Sequence, residues 1–275
     1  MLSTHVPDAV RLMRRRAYEF VALRRTGGDP LVPPIHLHVV GPEDFRASGE
    51  EFFGLLRELV DLQPNERVLD VGCGTGRIAR PLAAYLSRAG SYDGFDVADV
   101  AIKWCQRHYA RDHPNFHFKH VSVANTRYNP DGAGAAGKLA FPYPSASFDF
   151  VFLASVFTHM TPAGIERYML EIARVLAPGG RCLLTFFLLN DESRGLIGEG
   201  RSTQQFSDVE WPYAVVDPAH PEDVVAFNEE WALERLSQAE LNPRAQVRYG
   251  SWCGRDLFTS YQDIVVADRA QPTAE

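Results

Sequence analysis

Cysteine is scarce in this chain. The 275 residues include four, Cys73, Cys105, Cys182 and Cys253, and no two have CxxC spacing. That pattern excludes a zinc ribbon and a thioredoxin-like redox site. Isolated thiols in a chain of this size fit a reducing compartment. Cys182 lies in a very apolar stretch and is expected in the core. Lysine is scarcer still: Lys103, Lys119 and Lys138 are the only three, and the remaining basic residues are arginines. Long apolar runs are missing; Phe186 to Leu189 is typical of those present, far short of the about 18 residues a membrane-spanning helix needs. The N-terminus has no signal-peptide core, because the run from Tyr18 to Leu23 is broken by Glu19 and flanked by arginines. A soluble cytoplasmic protein is expected. There is no internal repeat, and the Gly/Ala run at 132–137 reads as a loop tip.

What is present is an ordinary globular composition, 45% hydrophobic, 11% aromatic and 23% charged, enough to bury a substantial core. The net charge of −7 disfavours a general nucleic-acid binder. Charge is unevenly placed: residues 1–25 carry six arginines against Asp8 and Glu19. Val10, Met13, Ala17 and Phe20 recur at helical spacing there, so 8–26 reads as an amphipathic helix, with either a plain solvated face or a role as a lid. Gly27-Gly28-Asp29-Pro30 stops it, and a proline-rich arm follows to residue 43.

A second helix is expected over about 43–62, and from there strands and helices alternate. The strands read as 67–71, 92–97, 115–121, 148–153 and 181–189, with helices over 77–88, 99–109 and 162–176. Thr161 is placed to cap the last helix, with Pro162 in its first turn and Pro178-Gly179-Gly180 as its stop. Strands separated by helices imply a Rossmann-like, doubly wound α/β sheet. Residues 190–227 break the rhythm and read as a polar insertion. A helix over about 228–241 and strands at 247–250 and 261–267 close the chain.

The chemistry concentrates at Asp70-Val71-Gly72-Cys73-Gly74-Thr75-Gly76-Arg77. A strand runs into three alternating glycines and then a helix, so the backbone can approach a ligand closely at a helix N-terminus. A dinucleotide fingerprint needs a further glycine where Arg77 stands, and a P-loop needs a Gly-Lys-Ser/Thr ending that is absent. An NAD-type dehydrogenase is therefore disfavoured. An acidic residue two places before the glycines instead suits S-adenosylmethionine, with Asp70 orienting the cationic methionine end. Asp96, 20 residues beyond Gly76, closes the next strand, where a carboxylate can accept both hydroxyls of a ribose.

These motifs resemble those of class I S-adenosylmethionine-dependent methyltransferases over residues 43–190. Ser147-Phe148-Asp149-Phe150-Val151, Thr158-His159-Met160 and Arg174-Val175-Leu176-Ala177-Pro178-Gly179-Gly180 add to the resemblance. The flanks, including Val32-Pro33-Pro34, Trp104-Cys105 and Tyr249-Gly250-Ser251-Trp252-Cys253-Gly254, look like a bacterial small-molecule subgroup of unassigned substrate. The resemblance implies a mostly parallel seven-stranded sheet with an antiparallel last strand, preceded by an N-terminal helical extension. It divides the chain into an arm at 1–42 and a methyltransferase domain at 43–270 carrying the insertion 190–227. Cofactor contacts fall on Asp70, Gly72, Cys73, Gly74, Thr75, Gly76, Asp96, Val97, Ser122, Val123 and Ser155. The family commonly has an acidic residue near the adenine at the position of Ser122, so adenine recognition here leans on backbone groups of Ser122 and Val123.

Methyl transfer needs a base only when the acceptor arrives protonated. His159, after the fourth strand, is the candidate, and an imidazole titrates near neutrality. Ser155 or Phe157 is placed to line the transfer channel. Trp211, Tyr213, Trp231 and Trp252 either wall an acceptor pocket or simply fill the core. No metal site is expected: His36-x-His38 lacks further ligands, and His113, His117 and His120 read as solvent-facing. The expected function is methylation of a small-molecule acceptor at oxygen or nitrogen, in natural-product or saccharide metabolism, without nucleic-acid or membrane partners. The alternative is a module that binds S-adenosylmethionine without transfer.

Overall fold

A computed structural model describes residues 28–37, 44–126, 128–206 and 211–270. The helix expected over 8–26, and His38, lie outside the described residues. What is described of the arm docks on the domain: Asp29 pairs with Arg80 at 2.7 Å, and Leu31 and Leu37 pack against the core.

Helix α1 (Phe45–Val60) starts at Asp44, whose carboxylate accepts from the Arg46 and Ala47 amides, and buries one apolar face including Phe52, Leu55 and Leu56. The alternation then follows as β1 (Arg67–Val71), α2 (Ala79–Tyr85), β2 (Ser91–Asp96), α3 (Asp99–Tyr109), β3 (Phe116–His120), β4 (Phe148–Leu153), α4 (Pro162–Val175) and β5 (Leu176–Phe186). Helix α2 is shorter than the expected 77–88, because residues 72–78 stay in the glycine turn. Thr161 precedes α4, but its side chain makes no capping bond, and Pro162 in the first turn carries the start. The helix ends at Val175, ahead of the Pro-Gly-Gly, where Leu176 turns extended and begins β5.

The apolar run expected as one strand to Leu189 splits. β5 stops at Phe186, and β6 (Leu188–Leu189) leaves for a second sheet. At the split, the Asp263 carboxylate accepts from the Leu188 amide at 2.8 Å, a bond that replaces strand pairing there. Within the polar insertion 190–227, the described residues include a helix and two strands. Asn190 and Ser193 form a reciprocal capping box for α5 (Asp191–Gly198). Strands β7 (Tyr213–Val215) and β8 (Val225–Asn228) then complete a three-stranded sheet in the order β6-β8-β7.

The chain closes with α6 (Glu229–Gln238), β9 (Leu241–Pro243) and β10 (Asp263–Arg269). The strand expected at 247–250 makes only isolated bridges, Arg248 to Ile264 and Gly250 to Ser260; the regular partner of β10 is β9. The main sheet has the order β3-β2-β1-β4-β5-β10-β9, with the first five strands parallel and β10 antiparallel to both neighbours. One apolar layer, with Phe52, Leu56 and Ile102, packs against one face, and a second, with Met169, Ile172 and Leu236, covers the other. Burial on both faces explains the near-continuous apolar strands β4 and β5. The order reverses beside β1, so the ends of β1, β2 and β4 open a crevice at the carboxyl edge. All four cysteines are free and buried. Among the described residues no helix is long and apolar enough to cross a membrane.

Candidate active site

The crevice is built on the turn after β1. The Gly72 and Cys73 amides both donate to the Phe95 carbonyl, at 2.8 and 3.1 Å, which folds the turn back onto β2. Gly72 has φ +81°, and a Cβ there would lie 2.4 Å from Val156 Cγ2. Gly74 has φ +52° and nothing within 4 Å of where a Cβ would stand. The first glycine is thus demanded by packing within the protein. The second faces open space that a ligand can fill.

Two carboxylates flank that space. Asp70 is 2% exposed, and its Oδ2 accepts from the Tyr92 hydroxyl at 2.7 Å. Burial, helped by the nearby negative charge of Asp96, pushes its pKa up to about 7. Asp96 accepts from the Gly74 amide at 2.7 Å through one oxygen and from the Ala98 amide at 2.8 Å through the other. Burial raises its pKa too, against these bonds. Each Asp96 oxygen keeps acceptor capacity for a sugar hydroxyl.

The cleft, with the solvent at its mouth, spans about 1130 Å³. Asp70, Gly72, Cys73, Gly74, Thr75, Asp96, Val97, Val123, Ser155 and His159 all line it. Two residues expected at the cofactor do not. Gly76 points back into the fold, where a Cβ would meet the Tyr109 hydroxyl at 3.1 Å. Ser122 is exposed, and its hydroxyl accepts from the Ala133 amide.

A second cavity, of about 1550 Å³, adjoins the first. Arg77, Tyr128, Ser155 and His159 line both, so they mark the junction. Ser155 holds φ +61°, unusual for a residue with a side chain. Its amide donates to Thr185 Oγ1 at 2.8 Å and its hydroxyl to Gln262 Oε1 at 3.1 Å. His159 Nδ1 lies 3.2 Å from the Glu222 carbonyl. A carbonyl only accepts, so Nδ1 donates in this contact. Nε2 lies 3.4 Å from the Tyr128 hydroxyl. Glu222 comes from the loop between β7 and β8, and its carboxylate accepts from the Thr126 amide and hydroxyl, tying that loop across the crevice.

Tyr128, Arg77 and Glu222 were not among the expected site residues. Tyr128 and Glu222 reach the junction only through tertiary folding. Arg77 follows the glycines directly, and its unusual place there was the available signal. Conversely, Phe157 is fully buried against Phe186, with ring centroids 5.0 Å apart, and lines neither cavity. The four aromatics considered for an acceptor wall also lie elsewhere. Trp252 is buried with its indole N–H on Asp263, and Trp231 stacks on Phe227. Tyr213 sits in β7 against Phe227, and Trp211 is exposed. Among the described residues no cluster suited to a metal ion occurs.

Residues 68–180 match a family described as "Methyltransferase domain". The match spans the glycine turn, both carboxylates and His159. Over this segment the chain is similar to methyltransferase domains. Nocamycin O-methyltransferase of Saccharothrix syringae is 32% identical over 148 residues, covering 51% of this chain and 46% of that protein. The 27-O-demethylrifamycin SV methyltransferase of Amycolatopsis mediterranei is 29% identical over 152 residues, covering 54% and 49%. The chain thus matches less than half the length of either relative. Among solved structures, 1,6-didemethyltoxoflavin-N1-methyltransferase of Burkholderia thailandensis superposes with a TM-score of 0.53 at 16% identity, covering 98% of this chain and 93% of that one. A methyltransferase of Methanosarcina mazei gives 0.54 at 21%, covering 78% and 98%. At these identities the likeness is one of fold.

Proposed function

We propose that this protein transfers a methyl group from S-adenosylmethionine to an oxygen or nitrogen atom of a small molecule, in natural-product or saccharide metabolism. The observation that carries this reading is the open space over Gly74, flanked by Asp70 and Asp96 and continuous with a second cavity at His159. The names of the O-methyltransferase relatives support a small acceptor. The overall negative charge disfavours nucleic acid.

The residues of the first cleft fit the methyl donor. Asp96 takes the ribose hydroxyls, Asp70 stands beside the cationic methionine end, and Val97, Val123 and Ser155 complete the lining. Bound there, S-adenosylmethionine supplies an activated methyl group on a positively charged sulfur. The protein's part is to hold the acceptor in line and keep water out. His159 is the base for an acceptor that arrives protonated: its ring lines both cavities, and the Glu222 carbonyl, accepting from Nδ1, holds it in place. The lid role expected for residues 8–26 belongs to this reading.

The test has two parts. Calorimetry with S-adenosylhomocysteine should show binding that Asp96→Ala weakens by roughly 1–3 kcal/mol, the range for losing bonds to a charged group. Labelled S-adenosylmethionine with a metabolite extract should then yield a labelled small molecule. Tight product binding without any labelled acceptor favours a binding module; unchanged affinity in Asp96→Ala removes the ribose assignment.

A further inference from the structure

Tyr128 belongs to a short turn that is tied to His159 more than once. Asn125 and Asn129 exchange backbone bonds at 3.1 and 3.0 Å, which closes the turn around Tyr128. The Asn125 carboxamide spans both residues: its Oδ1 accepts from the Tyr128 amide at 3.0 Å, and its Nδ2 donates to the His159 carbonyl at 3.2 Å. Glu222 repeats the tie. Its carboxylate accepts from the Thr126 amide and hydroxyl, at 2.9 and 3.0 Å, and its carbonyl meets His159 Nδ1 at 3.2 Å. One carboxamide and one glutamate thus set the spacing of a phenol and an imidazole that lie 31 positions apart in the chain.

The two rings meet edge to face, with centroids 5.4 Å apart and planes at 83°. Nδ1 is turned to the Glu222 carbonyl, so Nε2 is the ring nitrogen presented to the phenol, whose oxygen lies 3.4 Å away. In a neutral ring with its proton on Nδ1, Nε2 only accepts. A phenol oxygen donates one proton and accepts another at the same time. That asymmetry gives an order in which a proton can travel: acceptor, phenol, imidazole. A contact of 3.4 Å is longer than a formed bond, and such contacts in catalytic pairs tighten once the substrate is in place. Both side chains line both cavities, so the pair stands at their junction.

We propose that Tyr128 is a catalytic residue whose hydroxyl takes the proton from the acceptor's reacting oxygen or nitrogen and passes its own to His159 Nε2. The proposal rests on the methyltransferase reading. As the acceptor atom bonds the methyl carbon, its bond to hydrogen breaks and that proton goes to the Tyr128 oxygen. The Tyr128 proton moves to Nε2, leaving an imidazolium whose Nδ1–H stays on the Glu222 carbonyl. The electron pair of the broken carbon–sulfur bond remains on sulfur, so the positive charge ends on the imidazole. His159 then releases its extra proton to solvent.

The full chain is given labelled S-adenosylmethionine and a metabolite extract, and the rate of label transfer is followed in a single turnover. Tyr128→Phe keeps the ring and removes the hydroxyl; it should slow transfer at least about tenfold, and His159→Gln about a hundredfold. Because the two side chains form one relay, the double variant should be no slower than His159→Gln alone, within about threefold. S-adenosylhomocysteine affinity should stay within about threefold in all three variants. Nitrogen-15 spectra of the His159 ring, with S-adenosylhomocysteine bound and above the ordinary imidazole titration range, give a readout that a packing role for Tyr128 would not move. The Nε2 signal should shift in Tyr128→Phe and the Nδ1 signal should stay, because the Glu222 contact is untouched. Unslowed transfer by Tyr128→Phe, multiplied losses in the double variant, or an unmoved Nε2 signal overturns the proposal. An unaltered chain that does not bind S-adenosylhomocysteine, or binds it and yields no labelled product, refutes the methyltransferase reading instead, and this proposal with it.

Discussion

Replacing Gly74 by valine separates the ligand's demands on the glycine turn from those of the fold. At φ +52° the residue sits in the left-handed region, where a side chain costs about 1–2 kcal/mol, with a β-branched one at the upper end. No atom lies within 4 Å of the new Cβ, so no packing clash adds to that. For a domain of this size about 2 kcal/mol corresponds to a fall of about 4–8 °C in melting temperature. Gly72→Val is the contrast: it adds strain at φ +81° to a 2.4 Å approach to Val156, and should cost considerably more. Cofactor binding should behave the other way round in the variant that folds. The Gly74→Val side chain fills the space over the turn, and S-adenosylhomocysteine affinity should fall by at least about a hundredfold, or about 2.7 kcal/mol. Melting followed by circular dichroism and titration by calorimetry give both quantities on one sample. A folded Gly74→Val protein with normal affinity would place the ligand somewhere other than this turn. Loss of the fold itself would mean the turn is packed from its open side.

Asp70 makes the stability of the ligand-free protein depend on pH. Its pKa is raised to about 7, so folding favours the protonated form. Its contribution is fully present at acid pH below about 4 and is lost as pH rises through about 7, amounting to about 4 kcal/mol at about 1.4 kcal/mol per pH unit. Urea unfolding at pH 5 and pH 8 should show about 3 kcal/mol of that loss, and Asp70→Asn should flatten it; an equal slope in the variant assigns the dependence to other groups. Asp263 is fully buried and accepts from the Leu188 and Gly250 amides, the Trp252 indole and Arg255. Asp263→Ala should cost about 3–5 kcal/mol in urea unfolding, because it strands a buried guanidinium; a loss under about 1 kcal/mol would show that Glu192 alone satisfies Arg255. Deleting residues 1–28 should leave S-adenosylhomocysteine binding intact and cripple transfer to the acceptor; full transfer by the shortened chain removes the lid.

The amino-acid sequence by itself determined the parallel half of the sheet and the donor cleft, because both rest on local signals. Apolar runs such as Phe148–Leu153, punctuated by glycine and proline, mark strands buried on both faces. Gly72, Gly74 and the strand-end Asp70 and Asp96 mark a turn whose geometry depends on residues a few positions apart. The loss of one register at the C-terminal end shows the limit of that logic. Val247–Gly250 has a good strand pattern, yet the regular edge is Leu241–Pro243, because pairing with Arg269 starts there and the later residues bridge only intermittently. The same holds for the polar insertion, whose composition hid two strands, Tyr213–Val215 and Val225–Asn228, that join Leu188–Leu189 in a second sheet. Ser122 follows β3 at the expected place, but its side chain turns to the Ala133 amide, a bond no spacing announces. How the residues of the junction between the two cavities meet is a tertiary matter. His159 is oriented by a carbonyl 63 positions away, and Tyr128 meets it from the loop after β3. Which side of a residue meets another segment depends on how the layers pack, and that information is spread over contacts far apart in the chain.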